Sequence, residues 1–191
     1  FFYIFMKTGN EPTINIHTLG INIDLGWLYG IFLLFILVAS SNAVNLTDGL
    51  DGLAGGLSAI AFFALGIISW GAAYVSGSQD IAIFCFILIG SLIGFLFFNT
   101  YPAKVFMGDT GSLCLGATMA SIAIITNHEI TLIVIAGVFV IETLTAIIQM
   151  VGIMCFRKKI FLMAPLHHHF EKKGYDERDI VKAFWVVGFI L

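Results

Sequence analysis

The chain has 191 residues, 59% of them hydrophobic and only 11% charged, where a soluble domain carries roughly 25% charged residues. With a mean hydropathy of +1.01, this composition excludes a water-soluble globular fold, because a chain of this length has no interior large enough to hide that much apolar surface. The net charge of −3 points to no partner by itself; its distribution along the chain says more.

The chain opens on Phe1-Phe2-Tyr3-Ile4-Phe5, without an initiator Met or a basic leader, and residues 184–191 are apolar. It reads as the C-terminal portion of a longer polypeptide, with no signal peptide of its own. Residues 8–24 are polar and β-branched (Thr13, Ile14, Ile16, Ile21, Ile23), which predicts a short surface hairpin. A spanning helix needs about 20 mostly apolar residues. Residues 25–43, 53–75, 81–98, 112–126 and 130–156 come close, and a sixth begins near Val181 and reads as truncated. The expected fold is therefore all-α: a polytopic helical bundle of about six spans, forming one integral-membrane domain over residues 1–191. Cys85, Cys114 and Cys155 sit in apolar runs without paired spacing and read as small buried hydrophobes.

Successive spans reverse direction, so alternate loops share a face. One face receives residues 42–52, 99–111 and 157–179; the other receives 8–24, 76–80 and 127–129. Eight of the nine Lys and Arg residues (Lys104, Arg157, Lys158, Lys159, Lys172, Lys173, Arg178 and Lys182) lie in or beside the first set, and only Lys7 in the second. The positive-inside bias makes the first set cytoplasmic. It also holds Asp48, Asp51, Asp109 and His167-His168-His169, the arrangement expected of an active site at a membrane surface.

Three motifs carry that chemistry. Residues 42–56, NAVNLTDGLDGLAGG, combine Asn42 and Asn45 with Asp48, Asp51 and four glycines. Asp48 and Asp51 are three apart and would share a helix face. Glycines there let backbone N–H groups approach phosphate. The alternative is a helix cap beside a small-residue packing seam; an EF-hand is a poor match, because the alternating oxygen ligands are missing. Residues 99–112, NTYPAKVFMGDTGS, break the helix at Pro102 and set Asp109 between two glycines at the start of another span. A carboxylate there suits Mg²⁺, which takes a few carboxylates plus substrate phosphates. Lys104 suits phosphate as a point charge, and Phe106 suits stacking on a base. The alternative is an ordinary turn in which Asp109 caps the helix and Lys104 anchors topology.

In residues 164–171, APLHHHFE, three successive helical side chains point about 100° apart and cannot all grip one ion, which argues against zinc. Imidazoles beside a cationic loop suit phosphate hydrogen bonding or local proton handling; the alternative is an interfacial loop meeting lipid headgroups. Glu142 and Gln149, seven apart, lie on one face of the fifth span. Glu142 should face the protein interior and pair structurally, while Gln149 is placed to reach the site.

These three stretches, in this order, resemble the signatures of the phospho-N-acetylmuramoyl-pentapeptide transferase family, within the polyprenyl-phosphate N-acetylhexosamine-1-phosphate transferases. The resemblance runs from about Trp27 to the C-terminus, and HHHFE after Ala-Pro separates this branch from relatives using N-acetylglucosamine phosphate. It implies ten transmembrane helices, a homodimer in the bacterial inner (cytoplasmic) membrane, and an active site facing the cytoplasm. The implied reaction joins UDP-N-acetylmuramoyl-pentapeptide to undecaprenyl phosphate, giving lipid I and UMP for peptidoglycan synthesis, with Mg²⁺ and no nucleic-acid partner. By motif, Asp109 resembles the metal ligand and Asp48 an essential acid beside the metal. Gly49, Leu50 and Asp51 resemble the uridine pocket, with Asn99 nearby and Phe106 on the uracil; Asn42, Asn45, Lys104 and Gln149 complete the expected substrate-binding set. His167, His168 and His169 resemble a triplet needed for activity. The family's Asp-Asp pair with a downstream Lys has no counterpart in this chain, which puts activity of the chain alone in doubt.

Other readings are a transferase for a different UDP-aminosugar, a non-catalytic membrane fragment, and a transporter with Glu142 and Gln149 along a pore. The last predicts polar residues spread through several spans, whereas here they cluster at one set of helix ends.

Overall fold

The computed structural model describes residues 12–16, 21–72, 75 and 77–191. Lys7, Ser76 and parts of the 8–24 segment lie outside them. Strands β1 (Thr13–Ile16) and β2 (Ile21–Asp24) pair antiparallel, with Ile14 opposite Ile23. Eight helices follow among the described residues: α1 (Leu28–Thr47), α2 (Leu53–Gly71), α3 (Ser78–Asn99), α4 (Gly108–Ile125), α5 (Glu129–Ile135), α6 (Gly137–Phe156), α7 (Leu166–Lys172) and α8 (Glu177–Ile190). Five of them (α1, α2, α3, α4 and α6) are long and apolar enough to cross a membrane. The chain is thus a multi-pass membrane bundle with a two-stranded hairpin.

Helix α2 is the hub. Its Leu53, Leu57, Phe62 and Leu65 share one buried apolar cluster with Cys85 and Leu92 of α3, Met119 and Ala120 of α4, Val138 and Phe139 of α6, and Ile180 and Phe184 of α8, and α2 packs most extensively on α3. The outward faces carry large apolar side chains, such as Phe35, Phe97 and Met154, at 67%, 79% and 75% exposure. That distribution suits lipid, where close van der Waals packing of small residues, rather than escape from water, joins helices. Gly116 of α4 shows the principle: a Cβ there would stand 2.3 Å from the Ser40 carbonyl oxygen of α1.

The boundaries differ from the hydropathy reading in three places. Helix α1 runs to Thr47, past the apolar stretch ending at residue 43, because Asn42 Nδ2 and Thr47 Oγ1 each donate to a carbonyl four residues back, at 2.8 Å. The 130–156 stretch is two helices, broken at Ala136 ahead of Gly137. Helix α8 begins at Glu177, before Val181, because Asp176 caps it by accepting from the Arg178 backbone N–H. Five helices among the described residues reach span length, and α8 supplies 14 residues of the sixth apolar stretch at the end of the chain, in rough agreement with the expected six. Of the cysteines only Cys85 is buried; Cys114 and Cys155 lie on exposed helix faces.

The two ends of the bundle differ in character. At one, the Tyr29 hydroxyl at the start of α1 donates to Glu129 at the start of α5. At the other, the segments around Asp48, Asn99 and His167 meet, as the loop alternation requires.

Candidate active site

Asp48 ends α1 in a non-helical conformation, and a short turn leads to Gly52, whose φ of +81° only glycine adopts without strain, before α2 departs. The two carboxylates therefore do not share a helix face, as their spacing suggested; they stand on a turn and part company. Asp51 Oδ2 accepts from the Ala103 backbone N–H at 2.8 Å, and the Asp51 N–H donates to Glu177 Oε1 at 2.7 Å, tying three distant segments together. Burial, together with the nearby Asp109 charge, holds the Asp48 carboxyl above the usual carboxylate range.

The segment after α3 folds back on itself. The Lys104 and Val105 N–H groups both donate to the Phe98 carbonyl, at 2.7 and 3.2 Å, and Asn99 Nδ2 donates to the Val105 carbonyl at 2.9 Å. Asp109 then falls in the first turn of α4, where unpaired N–H groups and the helix dipole favour negative charge. The N-cap position belongs to Met107, and Asp109 Oδ1 accepts from Asn45 Nδ2 at 3.0 Å, so its carboxylate is turned toward α1. The same Asn45 nitrogen donates to Ser112 Oγ at 3.0 Å.

Between these segments lies a cleft of about 290 Å³. The first segment lines it with Asn45, Asp48, Gly49, Leu50 and Asp51, the second with Asn99, Phe106, Met107, Gly108 and Asp109. Phe106 stands 74% exposed at its rim. Eight of the residues singled out from sequence thus line one cleft. Met107 and Gly108 were missed as lining residues, as was Glu177, which no motif surrounds and which sits at the foot of α8. Asn42 and Lys104 do not line the cleft: Asn42 donates to the Val38 carbonyl and Lys104 is exposed.

The histidines arrive by a different route. After α6 the chain doubles back along that helix, held at two points one heptad apart. Gln149 Oε1 accepts from the Ile160 and Phe161 N–H groups at 3.0 and 2.9 Å, while its Nε2 donates to the Phe161 carbonyl at 3.1 Å. Glu142 Oε1 accepts the His167 backbone N–H at 3.2 Å, and its Oε2 lies 3.1 Å from His167 Nδ1. The Gln149 amide is thereby engaged with backbone rather than turned into the cleft. On α7 the imidazoles diverge. His167 is fully buried beneath Gly49, His168 Nδ1 faces Glu171, and His169 Nδ1 accepts from the Leu162 N–H at 3.1 Å.

The glycosyl transferase family 4 model matches residues 1–127. The chain is 50% identical over 190 residues to the phospho-N-acetylmuramoyl-pentapeptide-transferase of Geobacillus thermodenitrificans, covering 100% of this chain and 57% of that protein. It is 49% identical over 191 residues to the transferase of the same name from Bacillus subtilis strain 168, covering 58% of it. The chain therefore spans less than two thirds of the length of these relatives. With the family match extending over residues 1–127, well over half of its length, the chain belongs to glycosyl transferase family 4.

Proposed function

We propose that this chain forms the nucleotide-sugar and metal-binding part of a phospho-N-acetylmuramoyl-pentapeptide transferase. On this reading it moves the phospho-sugar of UDP-N-acetylmuramoyl-pentapeptide to undecaprenyl phosphate, giving lipid I and UMP. The observation that carries the reading is the meeting of Asp48 and Asp109, residues from two distant segments, in one polar cleft with an exposed aromatic ring at its rim. The relatives' shared name supports the substrate assignment.

The donor set fits Mg²⁺. Among the described residues no three His, Cys, Asp or Glu side chains gather at one point, so a cation here would rest on Asp48 and Asp109 and complete its shell with phosphate oxygens and water, as Mg²⁺ does. Bound there, Mg²⁺ would neutralise diphosphate charge. The protein's own part is positioning. Phe106 offers a face to the uracil, and the turn at residues 49–51, anchored through Ala103 and Glu177, fixes the nucleoside end. Asn45 aims Asp109. A lipid phosphate oxygen then attacks the sugar-linked phosphorus in line, forming one P–O bond as the bond to UMP breaks. A covalent route through Asp48 is the competing mechanism, and trapping a phospho-aspartate would establish it.

The eight cations in the loops of this set support a cleft that faces the cytoplasm at the inner membrane, and the resemblance supports a homodimer. The pore reading loses its residues, because Glu142 and Gln149 are both engaged with the returning chain.

The test is Mg²⁺-dependent UMP release by the protein expressed from its complete gene, comparing wild type with Asp109→Asn. A strong loss in the variant is expected; undiminished turnover refutes the metal role. Equal turnover of UDP-N-acetylglucosamine would instead favour the related transferase for another aminosugar.

A further inference from the structure

His167 is the one member of the triplet sealed from solvent, and Glu142 holds it at two atoms. Both side chains are 0% exposed, with Nδ1 3.1 Å from Oε2 and the backbone N–H 3.2 Å from Oε1. The remaining ring nitrogen, Nε2, is buried without a hydrogen-bond partner. It is aimed at the turn that follows Asp48: a Cβ on Gly49 would stand 2.4 Å from it. The ring thus touches the turn at Gly49 without itself lining the cleft.

The hydrogen bonds select one tautomer. The backbone N–H can only donate, so one carboxylate oxygen must accept from it. With the ring proton on Nδ1, the second oxygen also finds a donor. With the proton on Nε2, that oxygen would face a lone pair, and a buried N–H would lack an acceptor, the rarer kind of buried orphan.

We propose that Glu142 is a positioning residue that fixes His167 as the Nδ1–H tautomer, so that Nε2 is held as an acceptor for the backbone N–H of Gly49 or Leu50 when that turn closes on bound substrate. Glycine at position 49 is what allows the ring so close; any side chain would displace either the ring or the turn. Helix α6 thereby acts on the cleft through His167 without touching substrate. The kinetic consequence rests on the transferase reading above; the tautomer does not.

The experiment uses the protein from its complete gene, in nanodiscs, labelled with ¹⁵N-histidine and assigned by His167→Asn. An unprotonated Nε2 on His167 is expected, and a protonated one overturns the proposal. In Glu142→Gln the amide oxygen must still serve the backbone N–H, so its NH₂ faces Nδ1 and drives the ring proton to Nε2. That variant should lose about tenfold or more in kcat, the worth of one well-formed hydrogen bond, with KM for the nucleotide-sugar little changed. Glu142→Asp keeps acceptor chemistry and should retain the wild-type tautomer and part of the rate. Wild-type kcat in Glu142→Gln overturns the positioning role. If wild type releases no UMP, the transferase reading fails while the spectrum still decides the tautomer, and if Glu142→Gln does not fold, wild type and Glu142→Asp decide it.

Discussion

Asn45 Nδ2 donates to Asp109 Oδ1 at 3.0 Å, joining the last turn of one membrane helix to the first turn of another 64 residues later. Removing the amide leaves a partly charged pocket without its aiming contact. Asn45→Ala should therefore lower UMP release by about 10- to 100-fold, the worth of a hydrogen bond to a charged group. Asn45→Asp should be worse, because it adds a third carboxylate beside Asp48 and Asp109. Steady-state rates across a Mg²⁺ titration check this: the Asp variant should need more cation, and equal Mg²⁺ demand in both variants would contradict it.

The raised Asp48 carboxyl gives a pH prediction with a definite sign. Its folded-state pKa lies above the unfolded value, so the stability it contributes is fully present below the ordinary Asp value of about 3.9 and is lost as pH rises through the raised value. The ionised form is the one that holds a cation. Mg²⁺ binding should release protons where pH lies near or below the raised value, measurable by calorimetry in two buffers of different ionisation enthalpy. Asp109→Asn removes the second cause of the shift but not burial, so the Asp48 limb of a melting-versus-pH curve should move to lower pH without disappearing. A limb that stays in place would mean that Asp109 does not act on Asp48.

How much of this was legible in the sequence depends on the kind of interaction. The five spans and the gathering of the Asp48, Asp109 and His167 stretches follow from hydropathy and loop alternation, which need no side-chain geometry. Helix ends were misjudged where polar side chains satisfy themselves within the helix, as Asn42 and Thr47 do, since hydropathy counts them as loop. Asp48 and Asp51 share no helix face because α1 ends at Thr47 and both carboxylates stand on the turn that Gly52, at positive φ, closes before α2. Glu177 was invisible because its partner, the Asp51 N–H, is 126 residues away and a backbone group carries no sequence signal.

Gly56 offers a test of how α8 is seated. A Cβ there would stand 2.0 Å from Cε2 of Trp185, with the indole lying against the glycine. Gly56→Ala should destabilise the detergent-solubilised protein by about 1–3 kcal/mol through overpacking. Because α8 carries Glu177, the displacement should also loosen the Asp51 turn. In a Trp185→Ala background the same change should cost much less, since the ring it collides with is gone. Thermal unfolding of the four-member cycle measures the coupling; additivity would mean that the two residues do not meet.

Gln149 decides between two roles. From sequence it was expected to reach substrate, whereas its three hydrogen bonds go to Ile160 and Phe161. Gln149→Met removes all three partners from the returning segment at nearly constant volume, so amide exchange at Ile160 and Phe161 should accelerate. Gln149→Glu can still accept from both N–H groups but cannot donate to the Phe161 carbonyl, so it should keep much of their protection. Glu142 and His167 hold the segment seven residues further along α6, so exchange at His167 should change little in either variant. If instead protection at Ile160 and Phe161 is unchanged in Gln149→Met while KM for the nucleotide-sugar rises, the amide serves substrate and the segment is held by its other contacts.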